Sequence, residues 1–169
     1  MENLAHWKAV FADNRDGEAF RKVLEGVYNR LQSVSFNSPA LATSATASIV
    51  ETGATWYGIA KGTLITVASG QDMDALVGTV TNAYYNVYVF SVDKASALTT
   101  RTGVEGASLA AIKFPAVPDD ECVLGFLIIH PTGTGNFVGG TTDIDDGTVV
   151  PNAVYVNSVG ACALVAPGV

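Results

Sequence analysis

The chain has 169 residues, of which 49% are hydrophobic and only 15% charged, and its net charge is −7. That acidic balance argues against nucleic acid or an anionic membrane surface as the main partner, and the length allows one domain with a substantial core plus an appendage. Charged residues fall below the usual quarter, so much of the uncharged surface is expected to lie against other subunits.

Residues 2–32 read as two amphipathic helices, about 3–12 and 17–32. Leu4, Trp7 and Phe11 share one face, and Phe20, Val23, Leu24, Val27 and Leu31 repeat at helical spacing after a break at 13–17. Asp16 is a fitting N-cap for the second helix, and Glu18 suits its first turn. Within residues 1–32, Lys8, Arg15, Arg21, Lys22 and Arg30 balance Glu2, Asp13, Asp16, Glu18 and Glu25, so the net negative charge lies entirely in the remainder. This contrast marks an N-terminal helical arm whose apolar face is expected to bind another chain or a neighbouring subunit. The arm is charged and amphipathic rather than basic-then-apolar, so no export signal is read. No apolar run reaches membrane-spanning length.

Residues 33–48, rich in Ser, Ala and Thr, have the composition of an extended linker. A β-domain is expected over 49–169. Residues 49–51 and Trp56–Ala60 are short candidate strands, and Lys61-Gly62 is a hairpin turn into 63–68. Residues 73–77 fit either a helical turn or an irregular crossing. The clearest strand runs over 81–93, with Tyr84, Asn86, Tyr88 and Phe90 on one face and Tyr85, Val87, Val89 and Ser91 on the other. A turn at Asp93-Lys94 leads to a return strand over 97–101. Residues 109–114 either pair or form a brief helical segment, ended by Pro115 and Pro118. The run 122–129 is apolar at both parities and predicts a strand buried on both faces. Residues 136–138, 149–159 and 161–165 supply the remaining candidates. Eight to ten short strands at this spacing predict a mainly β fold, an antiparallel β-sandwich or jelly-roll-like barrel, preceded by the helical arm.

The sequence carries few chemical signals. His6 and His130 belong to no metal-ligand spacing, and no C-x-x-C occurs. Cys122 and Cys162 lie in apolar strand-like runs and are expected as buried thiols rather than a disulfide. The glycine loop at 133–140 lacks the lysine that a phosphate loop requires, so turn formation accounts for it. Asp143, Asp145 and Asp146 group as a calcium site would, but the glycine and glutamate of an EF-hand are missing, and solvated loop acids are the expectation. The same holds for Asp119, Asp120 and Glu121, and for Asp72 and Asp74. The aromatic row Tyr84, Tyr88 and Phe90 fits core packing better than sugar stacking. No catalytic residue, cofactor or metal ligand is named.

Three segments carry a resemblance: YNVYVFSVDKASALTTRTGVEGA, then IKFPAVPDDECVLGFLIIHPTGTGNFVGGTTDID, then VYVNSVG. Ser91-Val92-Asp93, the acidic turn at 118–121, the strand at 125–129, and residues 137–143 with Asp145 follow the order of motifs in tailed-bacteriophage virion proteins. The chain resembles head decoration, cement or head-fibre proteins of that group over roughly 84–160. The resemblance implies a non-enzymatic β-domain, most often a homotrimer, on the exterior of the capsid and bound to the major capsid protein. It also implies assembly in the host bacterial cytoplasm, with no nucleic-acid or membrane partner. Residues 1–48 would then form the attachment arm. A receptor- or glycan-binding module of a phage fibre is the alternative, and a cell-wall hydrolase is a third reading for which no partner acid to Asp143 and Asp145 can be named.

Overall fold

The computed structural model describes residues 18, 20–24 and 32–160. The chain is mainly β with antiparallel sheets. Its longest strands are β7 (Asn86–Asp93) and β9 (Glu121–Ile129), which pair along their whole length and form the middle of a four-stranded sheet. β8 (Leu98–Thr102) flanks β7, and β11 (Val154–Asn157) flanks β9. Both central strands are almost wholly buried, as the doubly apolar sequence of 122–129 requires.

One bulge sets the register of this sheet. Phe90 lies opposite Gly125 but Ser91 opposite Val123, so Leu124 is the extra residue. Cys122, Leu124, Leu127 and Ile129 then share the main core with Tyr88, Phe90 and Val92. Val87, Val89 and Val123 face the other way, where Ile112, Phe114, Val117 and Phe126 cover them. Phe114 meets Phe126 edge-on, with ring centroids 5.1 Å apart. Of the two forms expected for 109–114, pairing or a brief helical segment, the segment shows pairing at one point only. It contains a turn at 109–111 and a single bridge between Val104 and Lys113.

A second sheet, in the order β1-β4-β5, contains β1 (Val34–Ser35), β4 (Trp56–Ala60) and β5 (Thr63–Val67). Lys61 (φ 46°) and Gly62 (φ 79°) form the two-residue turn between β4 and β5, with both residues left-handed as a tight hairpin demands. Trp56 is fully buried, and its indole N–H donates to Ser35 Oγ at 2.7 Å. Gly58 leaves room for that ring, because a Cβ there would lie 2.3 Å from it. Two small pairs complete the strands: β2 (Leu41–Thr43) with β3 (Val50–Thr52), and β6 (Thr79–Val80) with β10 (Phe137–Val138).

Several boundaries differ from the sequence reading. Residues 33–48, expected as a linker, are extended but paired, and they carry β1 and β2. Leu41 is buried, its amide donates to Asn157 Oδ1 at 2.8 Å, and Thr43 Oγ1 lies 2.9 Å from Tyr155 Oη. Low charge in that stretch reflects burial rather than flexibility. The strand expected over 81–93 begins only at Asn86, because Ala83 (φ 69°) turns the chain and donates to Pro131 O at 2.7 Å. Tyr84 is therefore exposed on a loop instead of joining Tyr88 and Phe90 in the core. The strand over 149–159 shortens to β11, since the 146–150 turn bonds Val150 N to Asp146 O.

No closed barrel forms among the described residues. The four-stranded sheet stops at β8, where the hydroxyls of Thr100 and Thr102 donate to the carbonyls of Asp74 and Val77. Side chain–backbone contacts replace a further strand ladder there. The segment 73–77 is irregular, with Met73 and Leu76 buried in the main core.

Candidate functional site

Of the residues expected to make the attachment face, Leu4, Trp7, Phe11, Val27 and Leu31 lie outside the described residues. Phe20, Val23 and Leu24 are helical and half or more exposed. Lys22 pairs with Glu18 at 3.4 Å across one turn of that segment, a solvent-exposed contact of small energetic weight.

A second apolar surface, missed in the sequence reading, lies on the outer face of the sheet β1-β4-β5. Its register places Val34 opposite Ile59 and Ile59 opposite Leu64, one row across three strands. The neighbouring row holds Tyr57 opposite Thr66, with Phe36 N donating to Tyr57 O at 2.9 Å. Leu64 is 69% exposed, Phe36 53% and Tyr57 49%. No charged residue occurs in these three strands, and Lys61 sits only at the hairpin tip. Covering the exposed parts of Leu64, Phe36 and Tyr57 would contribute on the order of 3–4 kcal/mol. The signal was present in the sequence, since β4 and β5 are apolar at both parities, as a strand covered on both faces is. Their brevity obscured it.

The polar clusters have structural duties. Glu121, expected as a solvated loop acid, is instead largely buried. It accepts from Ser91 Oγ and forms an ion pair with Arg101, tying β7, β8 and β9 together on the second face of the sheet. The expectation failed because an acid next to Asp119 and Asp120 reads as part of a turn, whereas Glu121 is already the first residue of β9. Asp146 Oδ1 accepts from Thr148 Oγ1 at 2.6 Å and from Thr148 N at 2.8 Å. The hydroxyl bond first, then the backbone bond, holds its carboxyl below the ordinary value. Asp72 accepts from Ser44 Oγ at 2.7 Å. His130 stacks on Tyr85 at 3.7 Å between centroids. Among the described residues, no three His, Cys, Asp or Glu side chains gather closely enough to hold a metal ion. Cys122 is buried in the main core, and Cys162 lies outside the described residues.

The motif residues behind the resemblance are fold-making positions. Asp93 Oδ1 accepts from the amides of Ala95 and Ala97, both at 2.8 Å, closing the β7–β8 turn. Gly125 lies under Leu41 and against β11, where a Cβ would fall 2.4 Å from Val156 O. Phe137 is fully buried, and Gly139 touches the Leu76 backbone with no space for a side chain. Thr142 Oγ1 accepts from Val138 N at 3.0 Å. No family model, curated protein or solved structure matches the chain.

Proposed function

We propose that the chain is a non-enzymatic structural protein of a bacteriophage particle, decorating or stabilising the capsid surface as a homo-oligomer. The uncharged outer face of β1, β4 and β5 carries this reading most directly. Apolar side chains set side by side on a sheet face, in a chain with only 15% charged residues, are what a subunit with several protein neighbours needs. The ordered motifs from Ser91 to Asp145 point to the head decoration, cement or head-fibre group, where a homotrimer is the common form. Their duties as turn closures and packing glycines agree with motifs that specify a fold rather than a reaction. The β-domain is read as a sandwich: the four-stranded sheet and the sheet β1-β4-β5 both contribute to one core.

Since residues 33–48 carry β1 and β2 of the β-domain, the attachment arm in this reading shortens from 1–48 to residues 1–32, with the major capsid protein as its partner. Many weak apolar contacts repeated over a particle give high occupancy without a single tight site. Deleting residues 1–32 tests the arm: occupancy on capsids is expected to collapse, and undiminished binding would contradict it. The glycan-binding alternative has one observation in its favour, the exposed loop residue Tyr84. A glycan array without hits would remove it.

A further inference from the structure

Strand β5 forms an open sheet edge. In a two-residue hairpin the residues flanking the turn exchange both hydrogen bonds, so the bonding alternates outward from the Ala60–Thr63 pair. Thr63, Ile65 and Val67 bond to β4, while the amides and carbonyls of Leu64 and Thr66 point away from it. Those outward groups have no partner among the described residues. Of the other outer strands, β1 exchanges two backbone bonds with Gly160 at 3.0 and 2.7 Å, and β8 is covered through its Thr100 and Thr102 hydroxyls, which donate to Asp74 O and Val77 O.

Proteins that keep an edge strand solvent-exposed blunt it with a charge, a proline or a bulge. The sequence Thr-Leu-Ile-Thr-Val has none of the three, and its pairing with β4 runs without a register break. We infer that β5 pairs with β5 of a second copy of this chain, antiparallel about a twofold axis through Ile65, joining two three-stranded sheets into one of six. The inference rests on the homo-oligomer reading and adds one contact to it, a twofold one that joins copies in pairs and would link neighbouring trimers where the chain is trimeric.

The register follows from which groups point outward. Leu64 and Thr66 of one copy bond to Thr66 and Leu64 of the other, giving four new backbone hydrogen bonds, and the two Ile65 residues face each other at the narrow, non-bonded position. Leu64 of each copy reaches its counterpart diagonally on the outer face, extending the apolar row of Val34 and Ile59 across the axis. Lys61 falls opposite Ser69, so no like charges meet, although each copy carries a net charge of −7. β5 itself carries no charge, so the contact does not concentrate the like net charge of the two copies, and it is the self-complementary hydrogen-bonding register that a second copy satisfies. Five residues make a short strand, so the contact is a concentration-dependent association that crowding on a particle surface reinforces.

Hydrogen exchange and sedimentation velocity of the intact chain test the pairing. Protection of the Leu64 and Thr66 amides is expected where the chain associates, and its loss on dilution. Thr66→Pro removes only an outward donor, two per twofold contact, and is expected to raise the dissociation constant on the order of thirtyfold. Leu64→Lys sets two ammonium groups near each other and is expected to weaken association at least as much. Both positions are exposed, and unchanged circular dichroism and unfolding midpoints show that the variants fold. Association with both amides unprotected, or with an unchanged constant in both variants, overturns the β5 contact and leaves the homo-oligomer reading standing. A chain that stays monomeric at every concentration overturns both.

Discussion

Tyr88 is fully buried against Phe137, with ring centroids 6.3 Å apart, and its hydroxyl has no hydrogen-bond partner among the described residues. Burial, and secondarily the charge of Glu105, push its pKa up to about 12 from 10.0. The folded state therefore holds this proton more tightly than the unfolded chain. The resulting stability is complete below pH 10 and is lost as the pH climbs toward 12. Tyr88→Phe is expected to flatten part of that alkaline decline, and at pH 7 to leave the unfolding free energy unchanged or raised by up to about 1 kcal/mol, because an unsatisfied polar atom leaves the core. Urea unfolding at pH 7 and pH 11 checks both effects. Asp146 has the opposite sign. Its lowered carboxyl pKa depends first on the Thr148 hydroxyl, so Thr148→Val is expected to move that pKa up, read by NMR titration of the Asp146 side chain.

At the scale of elements, the β7–β9 pair controls the architecture, and two of its positions invite substitution. Glu121→Ala strands Arg101 in a largely covered site. Partial exposure lowers the cost below that of a fully buried pair, to about 2–3 kcal/mol, measurable as a drop in unfolding free energy. Gly125→Ala forces a methyl group between Leu41 and the Val156 carbonyl, and is expected to cost about 1–3 kcal/mol, with β11 amides losing exchange protection first. The long elements were legible in the sequence because their patterns are strong. Trp56–Ala60, the Lys61-Gly62 turn and the doubly buried run of β9 fell where expected, and the two faces of β7 divided as their alternation said. Short elements were not legible. β1 and β2 have two and three residues, and their strand character comes from partners outside their own stretch, Gly58 and Ile59 for β1 and Val50 to Thr52 for β2. The start of β7 was misplaced because Ala83 adopts a left-handed turn conformation that its residue type does not advertise.

For the whole molecule, the apolar residues divide between a core that is filled and an outer face that is not. Sequence patterning located the core where it lies on the long strands β7 and β9, since burial on one face of a long strand leaves a period in the sequence, but not Leu41, Met73, Leu76 or Ile144, which come from stretches read as linker, undecided crossing and acidic loop. It did not locate the outer face of β1, β4 and β5, because an apolar residue awaiting a partner chain looks the same as one awaiting its own core. The arm residues Phe20, Val23 and Leu24 pose the same ambiguity on a helix. The proposed oligomer accounts for both at once: these surfaces would be covered in the assembly, and the charged residues, net acidic, would face outward. The most direct test of this account is the mass of the intact chain in solution by sedimentation equilibrium across a concentration series. The account predicts a multiple of the 17.5 kDa chain mass that falls on dilution. A species fixed at 17.5 kDa up to the highest soluble concentration would contradict it.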